Sequence, residues 1–317
     1  MRASRSWPGS RASATSPRCA PTRSSCPTRR RPDRRQEIAA GPKPGPSAAP
    51  MTDATPPAPI AVSQARHAGR FWRRFTSYAF ARRWRCVDVV MAELAPAASA
   101  FPLVFRRTAW QEIVPVALLR LGASGTTPFV TAEGRWRGTY VPSALRAHPF
   151  SARPGAQSGE LVLMVDETTG LVTDDPSDEP FFTGAAPAPP LEQVLDFFRA
   201  RARSAQRTRE ACAALDAQGV LTPLSPLPGM HESDAAGLLA VDTERVEALD
   251  GRQIPALWQS GALRLAEAHR VSLQHAAWMA RAVQASAARA PEPSPPPDDG
   301  LSGFLAALSD DRARSQP

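Results

Sequence analysis

No stretch of this chain approaches 18 uninterrupted apolar residues. The best apolar run, Ile113 to Leu119, is interrupted by Pro115 and has the length of a strand. That excludes a membrane-spanning helix from the sequence pattern. Cysteine is scarce: Cys19, Cys26, Cys86 and Cys212 form no Cys-x-x-Cys pair and no zinc spacing. Free thiols in a reducing cytoplasm fit that usage. Catalytic signatures are missing as well. No His-Glu-x-x-His helix occurs, and no His-x-Asp or His-x-Glu pair begins a facial iron triad. There is no Gly-x-Ser-x-Gly elbow and no dinucleotide or P-loop glycine pattern. These absences predict no metal site and no cofactor. Lysine is almost lacking too, with Lys43 the single example. Such a bias reflects GC-rich coding and says little about ligand recognition.

What is present divides the chain of 317 residues into three stretches. A hydrophobic fraction of 43% is enough for a core, while 34 prolines are too many for one compact domain. Residues 1–58 read as a disordered leader rich in Arg, Pro and Ser, with Met51 a plausible start of translation. The first 50 residues carry eleven basic and two acidic residues, a net of +9; the remainder has 27 against 28, a net of −1. The overall +8 therefore belongs to the leader, which disfavours nucleic acid as a partner of the fold. Arg73-Arg74-Phe75 resembles part of an export signal, but charges from Arg82 to Glu93 interrupt any apolar region behind it. Residues 59–288 form the expected domain. Residues 289–317 are a Pro-rich tail in which Leu301, Phe304, Leu305 and Leu308 stand at helical spacing.

Within 59–288 the pattern predicts a single α+β domain, with a mostly antiparallel or mixed sheet in the first half and helices in the second. Val87 to Ala100 reads as a short helix or mixed segment. Strands are expected at Phe101–Phe105, Val114–Leu121, Thr127–Thr131 and, most clearly, Glu160–Asp166. Leu191, Val194, Leu195, Phe198 and Ala202 recur at helical spacing after Pro189-Pro190, and Gly219 can end that helix after Gln218. Leu238–Val241 reads as a strand, and Asp242-Thr243-Glu244 opens a capped helix. Further helices are expected over Ala256–Leu265 and Ser272–Ala288.

The densest local signal runs from Gly134 to Phe150. Its Gly134-x-Trp136-x-x-x-Tyr140-x-Pro142 core is followed by Arg146 and Pro149-Phe150. Together with Pro59-Ile60-Ala61-Val62, His67, Tyr78-Ala79-Phe80, Glu93 and Phe101-Pro102-Leu103-Val104-Phe105, this resembles the bacterial SapC-like family. Asp166-Glu167, Glu179-Pro180-Phe181-Phe182, Val241-Asp242-x-Glu244, Gly261-Ala262-Leu263, Ala268-His269 and Ser272-Leu273 extend the resemblance over nearly all of 59–283. The resemblance implies a soluble protein without an established reaction, named from a surface-layer locus and distinct from the transporter permease that shares its name. Members are often encoded near outer-membrane receptors and near halogenase-like and cupin-like proteins. That implies an accessory or binding role in surface or nutrient-uptake systems, toward a small molecule or a protein.

The matched polar residues supply the candidates. Glu93, Arg146 and His269 are the candidate catalytic group, for an enzyme acting on a carbohydrate or modified amino acid. Trp136, Tyr140, Arg146 and Asp166 are the candidate ligand-binding group, with His148 beside them. If Glu93 and Arg146 meet, they could make a charge-assisted, bidentate pair that orders the core, or the arginine could receive a ligand carboxylate or phosphate. Aromatic walls suit sugars and flat ligands, yet the same residues at this spacing also build cores. Whether the chain is an enzyme stays open at this level.

Overall fold

A computed structural model describes residues 59–287 apart from 124, 158 and 159. The leader through residue 58, the possible start at Met51 and the 301–308 pattern lie outside the described residues. The fold is α+β, with antiparallel sheets and the helices late in the chain. The largest sheet has five strands in the spatial order Leu221–Pro223, Leu238–Val241, Leu103–Arg107, Ile113–Leu118 and Cys86–Asp88. Its central hairpin pairs Leu103 with Ala117 and Arg107 with Ile113. Val, Leu, Ile and Phe dominate both hairpin strands, and their inward side chains are almost completely buried. Burying Phe105 alone is worth about 2–3 kcal/mol.

Alternation along the strand decides what covers the sheet. Phe105 and Arg107 share a face. The Phe105 ring lies 5.4 Å from His269 on the helix Ala262–Ser272. Arg107 pairs at 2.9 Å with Asp216 on the long helix Pro189–Ala217. Both helices therefore cover the same face and touch each other. On the opposite face Arg106 pairs with Asp88 at 2.7 Å.

The long helix joins two apolar clusters. Its first turns place Leu191 among Trp72, Phe150, Val165 and Phe181, and its last turns place Ala211, Cys212 and Leu215 in the main core. Pro189-Pro190 starts it, where the missing N–H groups cost nothing. Gly219 at φ +64° ends it, its N–H bonded to Asp216 O at 2.9 Å. The first cluster lies between small sheets. One pairs Leu161–Val165 with Ile60–Ala61 and Phe150–Pro154; the other places Phe71–Trp72 between Val172–Thr173 and Glu179–Pro180.

Several expectations are corrected. Thr127–Thr131 forms no strand; only Val130 bridges to Trp136. The Thr127 and Thr131 hydroxyls accept from the N–H groups of Phe129 and Arg135, so local turns replace a ladder. No helix runs through Ala256–Leu265, because Gly261 at φ +77° separates Ile254–Gln259 from Ala262–Ser272. Ser272 ends a helix instead of starting one, and the last helix begins at His275. Val87–Ala100 is mixed, with the end of a strand, a 3-10 turn at Met91–Glu93 and the helix Leu94–Ala98. The strand Phe150–Pro154 was not anticipated, since its sequence has neither alternation nor an apolar run.

Cys86 and Cys212 are both buried. Burial, and secondarily Asp216, push the Cys212 thiol up to about 12. The thiolate is the reactive species, so alkylation at about pH 8 should leave both peptides unmodified in the native protein. Mass spectrometry should find both labelled once denaturant is added; labelling of either in the native state would contradict the packing.

Candidate functional site

The 134–150 stretch folds largely onto itself. Thr131 N–H bonds to Arg135 O at 2.9 Å and Gly134 N–H to Thr131 O at 3.1 Å, closing a tight turn. Gly134 adopts φ +85°, and a Cβ there would collide with Ser77 Oγ. That close approach lets Tyr78 N–H reach Gly134 O at 2.7 Å. Gly138 is required for a second reason: a Cβ would lie 2.7 Å from Trp136 Nε1. The indole instead donates to Tyr140 O at 2.9 Å while its ring stacks on Phe129 with centroids 5.8 Å apart. Arg146, on the short helix Ser143–Arg146, donates through Nε to Val141 O at 2.7 Å, and its guanidinium sits 4.7 Å above the Tyr140 ring. His148 stacks on Phe80 at 3.8 Å and precedes a cis bond to Pro149.

Tyr140 links this stretch to Glu93. Glu93 is fully buried at 0% exposure. Its Oε2 accepts from Tyr140 Oη at 2.9 Å and from Ser143 N–H at 2.7 Å. Its Oε1 accepts from Ser143 Oγ at 2.5 Å and from Val90 N–H at 3.3 Å. A carboxylate has about four acceptor positions, and the protein fills them. Burial, then the charge of Glu93, push the Tyr140 hydroxyl well above the ordinary tyrosine range. Tyr140 therefore stays protonated and donates a hydrogen bond to Glu93. Arg146 and Arg201 both act on Tyr140 against Glu93. Glu93 and Arg146 thus meet through the Tyr140 ring and hydroxyl.

Sequence reasoning missed the residues that complete this arrangement. Arg201, Ser204 and Thr208 lie along one stripe of the long helix. Arg201 donates to Ser143 Oγ and to Asp88 O, each at 3.0 Å. Ser204 Oγ and Thr208 Oγ1 accept from the N–H groups of Ala92 and Met91, each at 2.9 Å. The signal was present as polar residues buried at i, i+4 in an otherwise apolar stripe.

His269 occupies a different place, and its partners share no residue with those of Glu93. Its Nδ1 lies 2.7 Å from Leu103 O, and its Nε2 accepts from Val241 N–H at 3.1 Å. The register pairs Leu239 with Phe105, so continuing it would set Val241 opposite Leu103. The imidazole takes the place of the next rung. It donates to one strand and accepts from the other, which requires the neutral Nδ1–H tautomer. Ser272 Oγ accepts from Leu103 N–H at 2.9 Å, so one helix satisfies both backbone groups of Leu103. Burial holds the His269 pKa down to about 4, against a smaller upward pull from the Leu103 carbonyl. Asp166 lies apart from Trp136 and Tyr140: its carboxylate accepts from Thr168 N–H at 2.9 Å and caps a 3-10 turn, while its N–H bonds to Pro149 O at 3.0 Å.

Among the described residues, no three His, Cys, Asp or Glu side chains are placed to share a metal ion. No described helix is long and apolar enough to cross a membrane. A shallow depression of about 160 Å³ is lined by Gln111, Glu112, Ile113, Arg209, Ala213 and Asp216, and includes none of the candidates.

With this geometry in view, comparison with known protein families gives one match. The SapC family model aligns with residues 62–278, more than two-thirds of the chain. The chain belongs to the SapC family. The matched span holds Glu93, the 134–150 turn, the polar stripe of the long helix, and His269 with Ser272. Among curated proteins and solved structures no significant match was found.

Proposed function

We propose that the chain is a cytoplasmic binding or accessory protein of the SapC family, serving bacterial surface or nutrient-uptake systems. The observation that carries this reading is the occupancy of the two strongest acid–base candidates. The acceptor positions of Glu93 are taken by Tyr140, Ser143 and Val90, and both His269 nitrogens face strand backbone. A general base must come within hydrogen-bond reach of a substrate proton. The half-buried Trp136, Tyr140 and Arg146 bring ring edges and a guanidinium together within the 134–150 stretch, which suits an anionic ligand.

The test is a thermal-shift screen of the full chain against sugars, amino acids, nucleotides and metal ions, followed by mass spectrometry of every hit. A binder present at about 100 times its Kd should stabilise the protein by about 2.7 kcal/mol. The expected result is a shift in the wild type, a reduced shift in Arg146→Ala, and a ligand recovered intact. A chemically altered ligand would turn the assignment toward an enzyme using Glu93, Arg146 and His269.

A further inference from the structure

Averaging the charge over everything behind the leader hides a strong internal polarity. Residues 59–157 carry 14 arginines and four acidic residues, a net of +10; residues 160–287 carry ten arginines and 18 acidic residues, a net of −8. The positive charge is concentrated further in two segments. Residues 70–85 and 131–148 together hold nine arginines and one acid, Glu133.

Those two segments pack against each other. Tyr78 N–H reaches Gly134 O at 2.7 Å, Arg82 Nη2 reaches Thr131 O at 2.7 Å and also bonds to Ala132 O, and Tyr78 lies 5.3 Å from Trp136. Arg73, Arg74, Arg83, Arg135 and Arg137 are exposed on them. Arg74, Arg83 and Arg137 form no salt bridge among the described residues. Between the arginines lie half-buried aromatic side chains. The arginines exposed on the two segments outnumber the acids placed against them, Glu133 beside Arg135 and Arg137, Asp174 beside Arg70 and Asp175 beside Arg73, so a polyanion is favoured there.

The aromatics narrow the kind of polyanion. Stacking of nucleobases needs open ring faces. Here the rings largely occupy one another: Phe80 is stacked on His148 at 3.8 Å and approached edgewise by Phe75 and Trp84, while Trp136 lies against Phe129. Membrane insertion needs protruding apolar side chains, and the large exposed ones, Trp110, Trp258 and Trp278, lie outside both segments. What remains on offer is a set of guanidinium forks around recessed ring edges. Guanidinium forks match carboxylates in bidentate fashion. The N–H groups of a fork that are not on the carboxylate can donate to neighbouring sugar hydroxyls, a contact that needs no open ring face.

We propose that the surface formed by residues 70–85 and 131–148 binds an acidic saccharide chain, with Arg74, Arg83 and Arg137 receiving its carboxylates. This rests on the binding-protein reading and names the partner class for it.

The probe is polygalacturonate, and the readout is hydrogen–deuterium exchange of the full chain, which separates this surface from the basic leader. Protection is expected in peptides covering 71–84 and 131–140, weakening as salt is raised. The triple variant Arg74→Glu, Arg83→Glu, Arg137→Glu should need about ten-fold more polymer for the same protection. Arg203→Glu with Arg264→Glu, exposed sites elsewhere, should behave as wild type. Circular dichroism of each variant should match the wild type, since all five side chains are exposed. Protection that survives the triple variant, or that appears only within residues 1–50, would overturn the proposal. So would an equally long single-stranded oligonucleotide, or phosphatidylglycerol vesicles, protecting the same peptides at lower concentration. Shortening of the polymer during the assay would instead overturn the binding-protein reading itself.

Discussion

Glu93→Ala is expected to destabilise the protein by about 4 kcal/mol, among the largest effects available to a single substitution here. The reason is the number of groups left without a partner. Tyr140 Oη, Ser143 N–H, Ser143 Oγ and Val90 N–H all donate to this carboxylate. An unsatisfied buried donor costs about 1–3 kcal/mol, and the hydroxyls can recover part of that by rotating. Glu93→Gln should lose about 2 kcal/mol, since the amide keeps one acceptor but turns its other end into a donor facing donors. Tyr140→Phe should lose about 1 kcal/mol, because Glu93 retains three donors. Urea denaturation of the four proteins gives the order wild type, Tyr140→Phe, Glu93→Gln, Glu93→Ala. The opposite order is what a catalytic carboxylate would give, because active-site groups are commonly held at a cost to stability. A stabilised Glu93→Ala variant would therefore remove the structural account and restore Glu93 as a candidate for chemistry.

The same arrangement shows which features are legible in the linear chain. The long helix was readable because its signals are local: Pro189-Pro190 at the start, a 3.6-residue apolar period, and Gly219 at the end. Leu161–Val165 was readable as an unbroken apolar run, and Asp242 as a cap whose carboxylate accepts from Arg245 N–H at 3.1 Å. Thr127–Thr131 misled because β-branched residues also serve turns, and here their hydroxyls bond to nearby backbone. Phe150–Pro154 is a strand only because Leu161–Val165 supplies its partner. Glu93, Tyr140 and Arg146 were singled out from the sequence, Glu93 for catalysis, Tyr140 for ligand binding and Arg146 for both, but Ser143, which also bonds to Glu93, has no distinguishing local pattern. Its role arises from contacts 50 and 58 positions away in sequence, to Glu93 and Arg201. His269 was singled out for chemistry, whereas its position between Leu103 and Val241 follows from strand register.

That position carries the second large expectation, a loss of stability in mild acid. His269 and His148 are both held down to about 4, in each case chiefly by burial, with Asp166 pulling His148 the other way. Histidine in an unfolded chain titrates near 6.5. Between these values the unfolded state binds more protons than the native one, so stability rises with pH across that interval. The contribution is complete above about pH 6.5 and is lost progressively as pH falls toward about 4, by on the order of 3 kcal/mol for each group. The molecular event at His269 is specific. A protonated imidazole still donates to Leu103 O, but it can no longer accept from Val241 N–H, so the rung joining the two strands is broken on one side. His269→Gln supplies a donor and an acceptor without taking up a proton, and His148→Phe keeps a ring against Phe80. Each variant should flatten part of the pH dependence measured by urea denaturation between about pH 7 and pH 4.5, and the double variant should flatten most of it. If the double variant lost stability as steeply as the wild type, or if the His269 ring titrated near 6.5 by NMR in the native protein, the buried neutral imidazole would not be the source of the acid sensitivity.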